Sequence, residues 1–271
     1  MKKIVVPIDF SDASRNASEY AVRLAKIFNA EVELMHVYKE LIPATVGPEP
    51  WTVRVSPAFA RNEKLINDEV DFLKRKYNVE IKSIIKKGFK SESISDEIKE
   101  AEADLVVMGK REEGNKIIGN TILKTIRKSA VPVLIVPEKV QFKPFDNIAL
   151  AIDFEQTVNS SCLDILYSLY EKFHSSLRVL HVEQRANDLK ASEVPEKLKF
   201  GFVLSRFTYL YDRVEFNDID KGIQKFVEDH PTDLLAIVAH HHNLLERSFG
   251  TIHSQYLSFE LRCPLLVLKN L

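Results

Sequence analysis

Short apolar runs alternate along this chain with amphipathic stretches. Ile4-Val5-Val6-Pro7-Ile8 stops at Asp9, then Ala17, Tyr20, Ala21, Leu24, Ala25 and Phe28 recur at helical spacing, then Leu34-Met35-His36-Val37 forms a second run. Runs without polar alternation suit strands buried on both faces, as parallel sheets require. A stripe at i, i+3, i+4 and i+7 suits a helix laid across such a sheet. The same pattern predicts helices over 58–77, 91–102 and 120–129, with further strands at Leu105-Val106-Val107-Met108 and Val133-Leu134-Ile135-Val136. Pro7 has no N–H to give a ladder and is expected where pairing ends.

The pattern occurs twice. Ile4 to Phe10 recurs as Ile148 to Phe154 at an offset of 144, and the stripe from Ala17 recurs at 145 as Cys162, Ile165, Leu166, Leu169, Tyr170 and Phe173. Leu34-Met35-His36-Val37 returns as Val179-Leu180-His181-Val182, so one residue was inserted between Asp153 and Cys162 and the register then holds. Asp104 to Met108 answers to Asp233 to Ile237, and Pro132 to Val136 to Pro264 to Leu268; the matching helices fall near 191–204, 218–229 and 251–262. Each half reads β-α-β-α-β-α-β-α-β. That alternation implies right-handed crossovers and a doubly wound, Rossmann-like α/β sheet, with ligands beyond the carboxyl ends of its strands. Two domains follow, over 1–140 and 145–271.

Composition agrees with two folded domains: 271 residues, 45% hydrophobic and 28% charged. No apolar stretch approaches the ~20 residues of a membrane helix, and the run after Met1-Lys2-Lys3 is too short for a signal peptide. Cys162 and Cys263 offer neither zinc spacing nor a disulfide framework, which fits a reducing cytoplasm. The net charge of −1 gives no sign of nucleic acid or membrane as a partner. The halves nevertheless differ: residues 1–143 carry 25 Lys and Arg against 21 Asp and Glu, and residues 144–271 carry 13 against 18. Opposite charge helps two halves pack, or the first half holds an anion.

Glycine is scarce, yet Gly109, Gly114 and Gly119 fall close together after the fourth strand. A loop of this kind lets backbone approach a phosphate and feeds a helix at Gly119-Asn120-Thr121 whose N-terminus favours an anion, with Lys110, Arg111 and Lys116 supplying charge. The structural alternative is a strand-to-helix loop that uses glycine for its turns and Asn120 or Thr121 as cap. It is not a Walker loop, because Asn115 displaces the lysine by one position and the segment follows the fourth strand. Asp9 and Asp153 end matching strands, where an acid can bond a base or ribose, while Ser11 or Asp12 starts a helix. His36 and His181 read as core residues that satisfy a local partner. His240-His241-His242 and His253 have a metal-binding residue type, but no carboxylate or cysteine joins them at ligand spacing. Residues 41–57, with four prolines and Trp51, read as a long loop: a lid, an arm on the partner domain, or plain surface. No nucleophile elbow or Ser-His-Asp order is assignable.

Val5-Val6-Pro7-Ile8-Asp9-Phe10-Ser11, Met35-His36-Val37, Asp104 to Gly109, Gly119-Asn120-Thr121 and Ala130 to Val136 together resemble the universal stress protein family, in its tandem form. The resemblance implies an adenine nucleotide hydrolase-like fold with sheets of order 3-2-1-4-5. Their last strands, Val133 to Val136 and Leu265 to Leu268, would pair within the chain as a pseudo-dimer; a further homodimer of such chains is compatible with this. One branch of the family binds ATP through G-x-x-G-x9-G-[ST]. Here Gly109 matches the first glycine of that motif and Gly119-Asn120-Thr121 resembles its last Gly-[ST], while Glu112 replaces the second glycine and the loop is three residues shorter. By the resemblance, Pro7, Ile8, Asp9 and Val37 would line an adenine, and Met108, Gly109, Gly119, Asn120 and Thr121 the ribose and phosphates. The ligand implied is ATP or another adenine nucleotide, with or without magnesium. In the second half Val238 stands where Gly109 does, and Asp153, Gly250 and Thr251 are the remnant of a degenerate site. The expectation is a cytoplasmic stress-response protein that senses an adenine nucleotide and engages a protein partner, not an enzyme beyond slow ATP hydrolysis. The alternative is a nucleotide-free scaffold.

Overall fold

In the computed structural model, which describes residues 1–39, 56–112, 119–153, 158–183, 201–240 and 262–270, the unalternating apolar runs form the central strands. The first half runs β1 (Lys3–Pro7), α1 (Asp12–Phe28), β2 (Glu31–Tyr38), α2 (Pro57–Tyr77), β3 (Ile81–Lys87), α3 (Lys90–Glu100), β4 (Leu105–Lys110), α4 (Asn120–Lys128) and β5 (Val133–Pro137). The second runs β6 (Asn147–Ala151), a 3-10 turn (Ser160–Leu163), α5 (Asp164–Phe173), β7 (Ser176–Glu183), β8 (Tyr209–Glu215), α6 (Ile219–Asp229), β9 (Leu234–His240) and β10 (Leu265–Asn270). Most of the proline-rich stretch, residues 40–55, lies outside the described residues, as do residues 191–200 and 251–261 of the helices expected over 191–204 and 251–262. Pro57, expected in that loop, instead opens α2, where its missing N–H needs no acceptor. Ser56 caps the helix by accepting from the Phe59 amide at 3.0 Å.

All strands join one ten-stranded sheet of order β3-β2-β1-β4-β5-β10-β9-β6-β7-β8. Each half is thus 3-2-1-4-5, with its own strands parallel. The halves meet where β10 pairs antiparallel with β5, Leu265 opposite Ile135, Leu266 opposite Leu134 and Val267 opposite Val133. The register also records the repeat: Ile4 lies opposite Val32 and Leu105, and Ile148 opposite Leu177 and Leu234. Pro7 is the last residue of β1, and β1 pairs with β4 only at Ile4 and Val5, so the missing donor falls past that ladder.

Alternate residues of β1 face opposite layers. Ile4 and Val6 join Tyr20, Leu24 and Leu73 under α1 and α2, and Val5 joins Ile94 and Ile126 under α3 and α4. Both layers continue into the second half, through Leu166 and Leu169 of α5 on one face and Phe226 of α6 on the other. The connector is part of the core: Phe145 is fully buried, 5.2 Å from the Phe173 ring, and Phe142 lies edge-on to Tyr20 at 4.8 Å. Two repeated residues hold strand starts. Asp104 Oδ2 accepts from the Lys2 and Lys3 amides at 2.5 and 3.0 Å, and Asp233 Oδ2 accepts from the Asn147 amide at 2.8 Å, in each half tying the fourth strand to the first. Among the described residues no helix is long and apolar enough to cross a membrane.

Because Leu266 is fully buried on the strand that joins the halves, Leu266→Ala is expected to cost about 2–5 kcal/mol. Urea unfolding should show a lower midpoint with an unchanged slope, as one cooperative unit requires. A biphasic transition in the wild type would contradict a single unit.

Candidate functional site

The carboxyl ends of β1, β2 and β4 meet at the first half's switch point, and backbone contacts fix where the chain leaves the sheet. Past Pro7, the Ile8 amide donates to the Met35 carbonyl at 2.8 Å, and the Ile8 carbonyl accepts from His36 Nδ1 at 2.8 Å. A carbonyl only accepts, so Nδ1 carries the proton in that bond. The second half repeats the pair, the Ile152 amide to the Leu180 carbonyl at 3.0 Å and His181 Nδ1 to the Ile152 carbonyl at 3.3 Å. The repeated histidines therefore anchor a chain reversal. Phe10 then takes a left-handed conformation (φ 63°) with its ring 4.6 Å from that of His36.

That reversal presents Asp9 and starts α1. Ser11 caps the helix by accepting from the Ser14 amide at 3.3 Å, and its hydroxyl donates to Asp9 Oδ1 at 2.5 Å. The Ser11 amide adds a bond at 3.2 Å, and Arg111 Nη2 reaches Asp9 Oδ2 at 3.1 Å. Partial burial by itself would raise the Asp9 pKa; the Ser11 and Ser14 bonds and the Arg111 charge outweigh it and hold the carboxyl below its ordinary range.

Gly109 sits near the end of β4 against the first turn of α1. A Cβ there would lie 2.1 Å from the Ala13 carbonyl oxygen, so close helix-to-strand packing demands this glycine whether or not a phosphate comes near. Gly119 is different. Its backbone is extended at the N-cap of α4, it offers no side-chain cap, and among the described residues a Cβ would meet nothing within 4 Å. The Leu123 amide makes the first bond of the helix, to the Gly119 carbonyl at 3.2 Å, and no acidic residue stands in the first turn. The amides before Leu123 thus find no partner inside the helix, the usual make-up of an anion-binding helix start.

A cavity of 260 Å³ opens between these elements. Of the ten residues expected at a nucleotide, Pro7, Ile8, Asp9, Val37, Met108, Gly109, Lys110, Gly119 and Thr121 line it; Asn120 heads α4 beside it, exposed and off the wall. Lys110 is 6% exposed, a wall residue and not a free surface charge. Sequence reasoning passed over Ser14 of α1, Lys90 and Ile94 of α3 and Ile122 of α4, which line the cavity together with Ser11, Met35 and Arg111. Gly88, with φ of 155°, forms the turn into α3, and the sheet order places that turn at the same edge. Among the described residues no three His, Cys, Asp or Glu side chains gather as metal ligands.

The second half builds its corresponding corner differently. Val238 occupies the place of Gly109, 6% exposed, and a 3-10 turn replaces the first turn of α1. Asp153 ends its strand as Asp9 does, while Gly250, Thr251, His241, His242 and His253 lie outside the described residues, as do residues 113–118 of the glycine loop.

A model of the universal stress protein family matches residues 1–137. A universal stress protein of Methanocaldococcus jannaschii is 29% identical over 140 residues, 50% of this chain and 81% of its own. The universal stress protein YxiE of Bacillus subtilis is 29% identical over 144 residues, 49% of this chain and 97% of its own. The crystal structure of a universal stress protein from Archaeoglobus fulgidus matches at a TM-score of 0.75 over 99% of this chain and 98% of that one. At 16% identity this is a likeness of fold, and it extends through both halves.

The two glycines should differ in how much a methyl group costs. Gly109→Ala is expected to cost about 1–3 kcal/mol by overpacking, and Gly119→Ala less than about 1 kcal/mol, the difference between glycine and alanine as a cap; chemical denaturation of both variants checks this. The Asp9 carboxyl should titrate below the ordinary ~3.9 of aspartate. Its contribution to stability is then complete above that value and lost as pH falls through the depressed one. Ser11→Ala should raise the midpoint followed by carboxyl-carbon NMR, and an unmoved midpoint would rule out the Ser11 bond as its cause.

Proposed function

This chain belongs to the universal stress protein family, whose model spans its first half, and from that premise we propose that this half is an adenine-nucleotide sensor and the second a structural or partner-binding copy. The observation that carries the reading is the pairing, in one cleft, of an apolar wall with an uncapped helix start. Ile8, Val37, Ile94 and Met108 suit the faces of a purine, and Asp9 offers a carboxylate to a ribose hydroxyl or a base N–H. The first amides of α4, with Lys90 and Arg111, suit phosphate. Gly119 supports the same reading, because the surrounding protein leaves space where its side chain would be.

The reading is of a binder in the cytoplasm, not of an enzyme. Nucleotide shifts a sensor only by its differential affinity for two conformations. The Asp9–Arg111 pair is where such a difference would arise, since a phosphate that draws the guanidinium away from its 3.1 Å bond releases the carboxylate. The same pair favours the second reading, a nucleotide-free scaffold, to the extent that Asp9 already neutralises the cation.

Thermal unfolding with ATP, ADP, AMP or no nucleotide, each with and without magnesium, separates the two. A ligand at a hundred times its dissociation constant should stabilise the chain by ~2.7 kcal/mol. Gly119→Asp, which sets a carboxylate against the phosphates, should abolish the effect. A shift that survives Gly119→Asp would displace the site, and no shift at millimolar nucleotide would leave the scaffold.

A further inference from the structure

The seam between the halves has two pseudo-symmetric corners, where the last strand of one half meets the first helix of the same half. The first corner is filled. Asn16 Nδ2 donates to the Pro137 and Val140 carbonyls at 3.0 and 2.9 Å, and Tyr20 packs against Phe142 and Phe145. At the matching positions of the second corner the repeat places Ser161 for Asn16, Ile165 for Tyr20, Ser168 for Arg23 and Met1 for Phe145. Each is smaller, and a cavity of 280 Å³ opens among them.

Lys269 of β10 lines this cavity, in the position that Pro137 holds on β5. It is 6% exposed, and its ammonium donates to the Ile126 carbonyl of α4 at 2.7 Å. An ammonium carries three donors; this is the one bond it makes among the described residues, and no carboxylate there pairs with it. The acids that line the cavity are engaged elsewhere, Asp104 with the Lys2 and Lys3 amides and Asp164 with Arg206 at 2.8 Å. Cys162 supplies no charge either, because burial pushes its thiol up to about 12.

We propose that this corner is a binding site for a small oxyanion, of the size of phosphate or acetate, with the Lys269 ammonium as its anchor and the Ser161 hydroxyl as a second donor. A buried cation without a counter-charge is costly, and proteins resolve the cost by pairing the ion or neutralising it. Burial lowers the Lys269 pKa in the free protein; an oxyanion beside it reverses the sign by favouring the charged form. The volume exceeds by far the ~30 Å³ share of one water, so the corner beside the ammonium has room for an ion of this size.

Calorimetric titration of the full chain with inorganic phosphate and, separately, acetate at constant ionic strength tests the site in wild type, Gly119→Asp, Lys269→Met and Ile165→Tyr. Binding should persist in Gly119→Asp and weaken about tenfold or more in Lys269→Met, the loss expected for a charged hydrogen bond. Ile165→Tyr keeps the lysine and fills the corner as Tyr20 fills its mate, so it should abolish binding even if Lys269→Met fails to fold. Tighter phosphate than acetate identifies a dianion as the preferred occupant, and tighter acetate a carboxylate. Binding that disappears in Gly119→Asp but survives Lys269→Met or Ile165→Tyr would move the anion to α4 and overturn the proposal. So would wild type that takes up neither anion at about 50 mM.

Discussion

The structure depends on the antiparallel pairing of β5 with β10. Each half alone would end in an apolar last strand with an unpaired row of backbone donors and acceptors, the kind of edge that invites association. Pairing Leu134 with Leu266 removes both edges at once and makes ten strands one sheet. Antiparallel joining also fixes a pseudo-twofold axis at the seam. The carboxyl ends of the two sets of strands therefore face opposite ways, and the two switch points lie at opposite edges of one sheet.

On this shared frame the copies keep the contacts that hold strands and differ at those that shape cavities. Asp104 and Asp233 tie the same strand starts, and His36 and His181 bond the same carbonyls. These bonds satisfy backbone groups at the edge of the core, the one to His36 buried and the others partly so, and losing a partner there costs stability in either half. Gly109 and Val238 differ because α1 touches β4 with its first turn, whereas a 3-10 turn begins the corresponding helix. One glycine, one helix start and one cleft go together.

Much of this was legible in the sequence, because buried parallel strands and amphipathic helices leave strong periodic signals and a repeat shows each signal twice. The offsets of 144 and 145 found in the sequence carry over into the pairing, where Ile4 lies opposite Val32 and Ile148 opposite Leu177. Helix starts at Asn120 and near Ser91 and Ala58 were set by glycine, proline and stripe phase to within a residue or so. What pattern could not reach was contact between remote segments. The glycine cluster pointed to phosphate for both Gly109 and Gly119, yet Gly109 answers to the Ala13 carbonyl, ninety-six positions earlier. Lys90 carries no motif; it faces the cleft because β3 and β4 open at the same edge. Lys269 carries none either, and its burial follows from the pairing of β10 with a strand of the other half.

That last contact changes how the first half should be regarded. α4 is a helix of nine residues, about 13 Å long, with its N-terminus at the cleft and the Ile126 carbonyl in its last turn. Carbonyls there have no partner within the helix, and a cation near them stabilises the helix dipole as an anion does at the other end. Lys269 supplies that cation from the second half. An anion at Gly119 and the ammonium at Ile126 act on one short dipole with the same sign, so each makes the helix a better partner for the other. The degenerate copy is therefore more than a cover for an exposed edge. It completes the helix on which the cleft of the first copy is built, so the geometry of that cleft depends on both halves.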